Sequence, residues 1–170
     1  MLFKVNNQVI ITLRLSRSTV KKLEGKARNA GLSLEEYILE LTLRDLDPLD
    51  RVLEYIEASK NLLKQSKEEL RRGDVRQAAE KVWGATALAV KAYAEWREGK
   101  RLASHSELCE YSKKSMEDLG GWIYDAWMAA NGMYTCFYEG WCTDKHVEEA
   151  IKRIEKLIDE IRRRISKSTN

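Results

Sequence analysis

The sequence predicts a mainly α protein in two unequal parts: one strand and two helices over residues 1–46, and an up-and-down bundle of about five helices over residues 48–170. Three observations carry this. Val9–Ser16 is the one convincing stretch of period-two alternation, the chain after it follows three-and-four spacing, and the single proline, Pro48, separates two helical patterns. A chain of 170 residues accommodates a small unit joined to a larger one.

In the strand, Ile11, Leu13 and Leu15 fall on one face and Ile10, Thr12 and Arg14 on the other. No second strand is legible, so the unpaired edge predicts pairing with the same strand of a second copy about a two-fold axis. A first helix opens near Ser18/Thr19, carries Val20, Leu23, Ala27 and Ala30 on one face, and stops at Gly31. A second starts at once: Ser33 and Glu36 make a capping box, and Leu34, Tyr37, Ile38 and Leu41 form its apolar stripe.

Strand, helix, Gly-x-Ser turn and capped helix, in this order, resemble the ribbon-helix-helix family of dimeric DNA-binding proteins over about the first 46 residues. The resemblance implies that the paired ribbon enters the major groove, with Thr12 and Arg14, and Ile10 beside them, facing base edges. It also implies that the N-terminus of the second helix, at Ser33, holds a phosphate. Arginine suits bidentate contact with guanine, and helix N-terminal amides suit an anion. The bland alternative is a ribbon that dimerises without touching DNA.

A formal charge of +3 does not by itself imply nucleic acid, but its distribution is uneven. Residues 1–30 hold seven cations (Lys4, Arg14, Arg17, Lys21, Lys22, Lys26 and Arg28) against Glu24, a balance of +6. Arg17, Lys21 and Lys22 therefore join Ile10, Thr12, Arg14 and Ser33 as the expected DNA-binding set. No apolar run approaches the roughly 20 residues that span a bilayer and no signal-peptide pattern opens the chain, so the expectation is a soluble, cytoplasmic protein without a membrane partner.

Beyond the Asp45–Pro48 hinge, Leu49, Val52, Leu53, Ile56, Ser59, Leu63, Ser66 and Leu70 mark a long helix closed by Gly73 and re-started by Asp74. The next, Val75 to about Arg97, is rich in alanine and reads as the centre of the bundle. A third starts near Ser104, with Glu107 placed for a capping box. An aromatic helix spans Trp122–Tyr138. The last, from Thr143 or Asp144 to about Ser166, carries Val147, Ile151, Ile154, Ile158, Ile161 and Ile165 as a seam.

Within this half, Ala78–Ala85, Val90-Lys91-Ala92, Ser104-His105 with Leu108, and Phe137–Trp141 resemble the archaeal paREP-type proteins, a branch of the HEPN-like helical superfamily, over about Pro48 to Ile165. The resemblance implies a HEPN-like bundle, often a homodimer, in a superfamily that includes ribonuclease toxins and nucleotide-binding proteins. Its ribonucleases carry an Arg, four to six intervening residues and a His. Here Arg101 and His105 have three between them and Arg97 and His105 have seven, so neither fits. Tyr134 stands where such relatives tend to show a histidine, and a phenol of pKa about 10 is no base near neutral pH. No catalytic residue is therefore assigned; His105, Arg101 and Lys91 are the weak candidates.

The aromatics Trp83, Tyr93, Trp96, Trp122, Trp127, Tyr134, Tyr138 and Trp141 are expected in the core or an interface, and Lys91 is expected either to reach solvent or to be paired. Cys109, Cys136 and Cys142, an odd number with no scaffold spacing, are expected as reduced thiols. Cys142-x3-His146 is half a metal site without a second half, so neither a metal nor a cofactor is expected. Two functions stand: a homodimeric or higher-order DNA-binding transcriptional regulator whose bundle oligomerises or binds a ligand, RNA or nucleotide, and, alternatively, a HEPN-like ribonuclease or toxin–antitoxin component using residues 1–46 to dimerise.

Overall fold

The computed structural model describes residues 2–5 and 8–168. Its elements are β1 (Leu2–Val5), β2 (Gln8–Ile11), α1 (Arg17–Asn29), α2 (Leu34–Thr42), α3 (Pro48–Arg71), α4 (Val75–Glu98), α5 (His105–Leu119), α6 (Trp122–Glu139) and α7 (Asp144–Ser168). The protein is mainly helical, as its periodicity predicts.

The strand differs from expectation. It ends at Ile11, not Ser16, and its partner is β1 of the same chain, antiparallel with Leu2 opposite Ile11 and Val5 opposite Gln8. Phe3 and Val5 have strand-forming side chains, and closing a connection this short costs little entropy, so a local partner is available before any second copy arrives. Each strand still has one unpaired edge among the described residues.

Local chemistry sets most helix ends. Ser16, two residues earlier than predicted, caps α1 by accepting from the Thr19 amide at 3.2 Å. Gly31 then turns the chain at φ 70°, and a Cβ there would lie 2.9 Å from His105 Cβ, so both conformation and close approach require glycine. The predicted capping boxes are both present, Ser33 with Glu36 and Ser104 with Glu107. Pro48 occupies the first turn of α3, Asp74 caps α4, and Gly120 ends α5.

The core is built around α4, whose Ala78, Ala79, Ala85, Ala87, Ala89, Ala92 and Ala94 are fully buried. Small side chains let α3, α6 and α7 approach it closely; Ser59 and Ser66 of α3 donate to the Ala85 and Ala78 carbonyls at 2.6 and 2.8 Å. All six aliphatic residues of the predicted α7 seam are buried. On α3 the stripe is rotated from its predicted position. Leu49 and Leu53 are exposed, while Arg51 and Tyr55 turn inward because Glu95, Glu40 and the carbonyls of the hinge offer them polar partners.

Arg51 ties that hinge down. Its guanidinium donates to the Leu43, Arg44 and Leu46 carbonyls and pairs with Glu95 at 2.6 Å, so the α2–α3 connection is anchored to α4. The cysteines also depart from the expectation of three free thiols. Cys136 and Cys142 are disulfide-bonded across the end of α6, where the left-handed turn at Gly140 brings their Cα atoms to 5.5 Å, and Cys109 is free. No helix among the described residues is long and apolar enough to cross a membrane.

Candidate functional site

Two places gather the residues singled out by the sequence: the outer face of residues 10–28 and the seam between α2 and the bundle. On the outer face Ile10, Thr12, Arg14, Arg17, Lys21 and Lys22 are all exposed. So are Ile11 and Leu13, each 68% exposed, and Leu15 at 47%. None of Arg14, Arg17, Lys21, Lys22, Lys26 or Arg28 forms a salt bridge within the chain among the described residues. Six cations and four large aliphatics thus share a short stretch in which Glu24 is the one acid and no ion pair forms among the described residues. Lys4 falls in β1, and its side chain lies outside the described residues.

Ser33 is placed differently. Its amide donates to Glu36 Oε2 at 2.7 Å and its hydroxyl accepts from the Glu36 amide at 3.1 Å, so the capping box already uses both groups. The adjoining crevice, about 20 Å³, is lined by Ser33, Glu36, Glu80, Trp83 and Tyr138. Burial pushes the Glu36 carboxyl above its ordinary range against the opposing pull of the Ser33 bonds, and burial raises Glu80 too. Oε1 of Glu36 is buried without a partner and faces Gly84, where a Cβ would lie 2.8 Å from it. The absent side chain at Gly84 is what lets α2 come this close to α4.

Further along the seam, Lys91 in the middle of α4 is buried and paired with Glu40 of α2 at 2.5 Å. Glu40 also accepts from the Tyr55 hydroxyl at 2.9 Å and lies 3.9 Å from Arg101. At the other end Lys81 pairs with Glu35 at 2.5 Å. Between these elements opens a cavity of about 280 Å³ whose walls include Tyr37, Glu40, Leu41, Arg44, Lys91, Arg101 and Leu102. Sequence reasoning missed Glu40, Arg44 and Tyr55. The one signal was Lys91 itself, a cation in an alanine run that needed a carboxylate from somewhere.

The three weak catalytic candidates are divided between these surroundings. Lys91 and Arg101 converge on Glu40. The His105 ring instead packs between Trp83 and Tyr134, with centroids at 5.0 and 4.6 Å, and Nδ1 is buried without a partner. Burial pushes the His105 imidazole below its usual value, which favours the neutral ring. Trp83, Tyr93 and Trp127 are core residues as predicted, whereas Tyr138 and Trp141 are about half exposed. Cys142 is committed to the disulfide, and His146 Nδ1 bonds the Thr143 amide and hydroxyl, so neither is oriented as half of a metal site.

Comparison with known proteins adds a family assignment for the bundle. The archaeal PaREP1/PaREP8 family matches residues 54–158, more than half of the chain, from the second turn of α3 past the middle of α7, and the chain belongs to it. No curated protein and no solved structure matches.

Proposed function

We propose that this member of the archaeal PaREP1/PaREP8 family is a homodimeric DNA-binding protein, a transcriptional regulator whose residues 1–46 act as a ribbon-helix-helix-type module and whose helical bundle oligomerises or carries a ligand. The observation that carries the reading is the joint exposure, over residues 10–28, of the aliphatics Ile11, Leu13 and Leu15 and of six cations without ion pairs among the described residues. Burying each such aliphatic against a second copy contributes roughly 1.5–3 kcal/mol, and the open edges of the hairpin offer backbone groups for the same association. Doubling the module by two-fold symmetry would also double its cations, giving a basic surface that suits the DNA backbone.

Within that surface Thr12 and Arg14 are the proposed base readers, with Ile10 beside them, and Arg17, Lys21 and Lys22 the proposed phosphate contacts. Ser33 is the least favoured member of the set, because its amide and hydroxyl already bond Glu36 and two further carboxylates, Glu35 and Glu80, stand near that helix end. The HEPN-like ribonuclease alternative finds less support. His105 is stacked between two aromatic rings, and Arg101 and Lys91 point to a carboxylate.

Fluorescence anisotropy with selected and random duplexes at several salt concentrations tests the reading, alongside light scattering. The wild type should be a dimer or larger and should prefer some sequences. Arg14→Ala should lose roughly 1–3 kcal/mol on the preferred duplex and flatten the preference, whereas Lys21→Ala should weaken all duplexes alike and reduce the salt slope by about one. A stable folded monomer at micromolar concentration, or binding without any sequence preference, overturns the proposal.

A further inference from the structure

The cavity of about 280 Å³ between α2, α4 and the connection that leads to α5 is bordered by three cations that one carboxylate answers. Lys91, Arg101 and Arg44 against Glu40 leave a local balance of +2. Glu95, which does not line the cavity, is paired with Arg51. Glu40 itself is nearly used up, with Oε1 on Lys91 and Oε2 accepting from Tyr55. Arg101 reaches Glu40 only at 3.9 Å, and Arg44 forms no ion pair among the described residues. Arg101 also bonds Tyr55, and both guanidinium groups, on exposed side chains of the lining, keep donors to spare, each shaped to hold a phosphate or carboxylate through two parallel bonds.

The rest of the wall is of another kind. Tyr37, Leu41 and Leu102 give it an aromatic ring and two aliphatic surfaces, so a ligand body can be covered while its charged end meets the arginines. The volume lies just under the roughly 300–1,000 Å³ of ordinary small-molecule sites, which favours a compact ligand. A dianionic group answers the +2 balance fully, and a phosphate monoester carries close to that charge near neutral pH.

We propose that this cavity is a binding site for a small organic phosphate monoester, its phosphate held by Arg44 and Arg101 with Lys91 behind them and its body against Tyr37, Leu41 and Leu102. Because Tyr37, Glu40 and Arg44 come from the N-terminal module or the hinge after it, and Lys91, Arg101 and Leu102 from the bundle, the ligand bridges the two parts of the chain. An anion drawing Lys91 away from Glu40 would change how firmly α2 is held. The site stands on its own observations and does not depend on DNA binding.

Isothermal titration calorimetry of the full chain with inorganic phosphate, glycerol 3-phosphate and AMP tests it. At least one ester should bind once per chain and more tightly than inorganic phosphate. The Arg44→Ala/Arg101→Ala variant, altered only at exposed side chains, should bind that ester about tenfold or more weakly, while Lys100→Ala, which removes an exposed neighbouring cation outside the cavity, should bind like the wild type. The proposal is overturned if no probe binds at about 10 mM, if the esters bind no better than inorganic phosphate, or if the double variant matches the wild type. Since the titration contains no DNA, failure here leaves the DNA-binding reading untouched.

Discussion

Residues 10–28 and the bundle treat the same residue types in opposite ways. In the bundle most isoleucines and leucines are buried, with Leu49 and Leu53 of α3 exposed, and cations such as Arg51, Lys67, Lys91, Lys114 and Arg163 each meet a carboxylate of the same chain. In the N-terminal stretch Ile10, Ile11, Leu13 and Leu15 are exposed while Val20 and Leu23 are half-buried, and the cations form no ion pair among the described residues. Single exposed aliphatics are ordinary on a protein surface, and it is a run of them interleaved with cations on which the proposed association rests. The bundle covers most of its own apolar side chains, and the N-terminal segment leaves Ile10, Ile11, Leu13 and Leu15 open.

The largest expected effect tests that contrast through side chains of one chemistry. Ile154→Ala, at a fully buried site in α7, should destabilise the bundle by about 2–5 kcal/mol in chemical denaturation. Leu13→Ala should leave the denaturation of the bundle unchanged and raise the dissociation constant of the proposed dimer. Equal losses of stability in the two variants would mean that Leu13 belongs to the fold of the single chain.

Glycines sharpen the comparison at intermediate size. A Cβ at Gly84 would come within 2.8 Å of Glu36 Oε1 and 3.0 Å of Leu62 Cδ1, so Gly84→Ala should cost roughly 1–3 kcal/mol by pushing α2 away from α4. Gly25, inside α1, has nothing within 4 Å of that position, and Gly25→Ala should stabilise its helix by about 0.5–1 kcal/mol. Hydrogen exchange of α2 and α1 amides reads the two opposite signs; protection of α2 unaffected by Gly84→Ala would show that the seam is loosely packed.

The smallest effect is a difference in pH response. Burial holds the Glu36 carboxyl above its ordinary 4.5, so the folded chain takes up this proton more readily than the unfolded one. Its contribution is fully present below 4.5 and is lost as pH rises through the raised folded value. On α7, bonds from Lys152 and Arg153 hold Glu149 down to about 2, and bonds from Arg163 and Arg164 do the same for Glu160. Those contributions are present above 4.5 and disappear as pH falls toward 2, and being at the surface they are small. Acidifying from about pH 7 to 5 should therefore increase exchange protection of α2 in the wild type but not in Glu36→Gln. Below 4.5, α7 should lose protection, and Glu149→Gln should flatten that loss. An α2 whose protection falls on acidification in the wild type would contradict the buried, proton-accepting role of Glu36.

Much of the fold was legible because it is local. The two capping boxes, Pro48, Gly31, Gly73 and the α7 seam are patterns of three and four residues, and helix hydrogen bonding acts over the same distance. The stripe on α3 was misjudged at Leu49 and Leu53 because periodicity ranks leucine above arginine. It has no means of seeing that Glu95 and the hinge carbonyls would draw Arg51 inward.

By itself, then, the sequence determined which segments are helical, where most of them are capped, and that residues 1–30 carry a basic excess. Tertiary structure alone decided that Lys91 would meet Glu40, that Glu36 would be buried against Gly84, that Cys136 would reach Cys142, and that β2 would find β1 in its own chain. The Lys91–Glu40 contact joins residues 51 positions apart, and no repeat of three or four residues encodes such a meeting. It exists because α2 folds back onto α4, where a charge removed from water is stable only beside an opposite one.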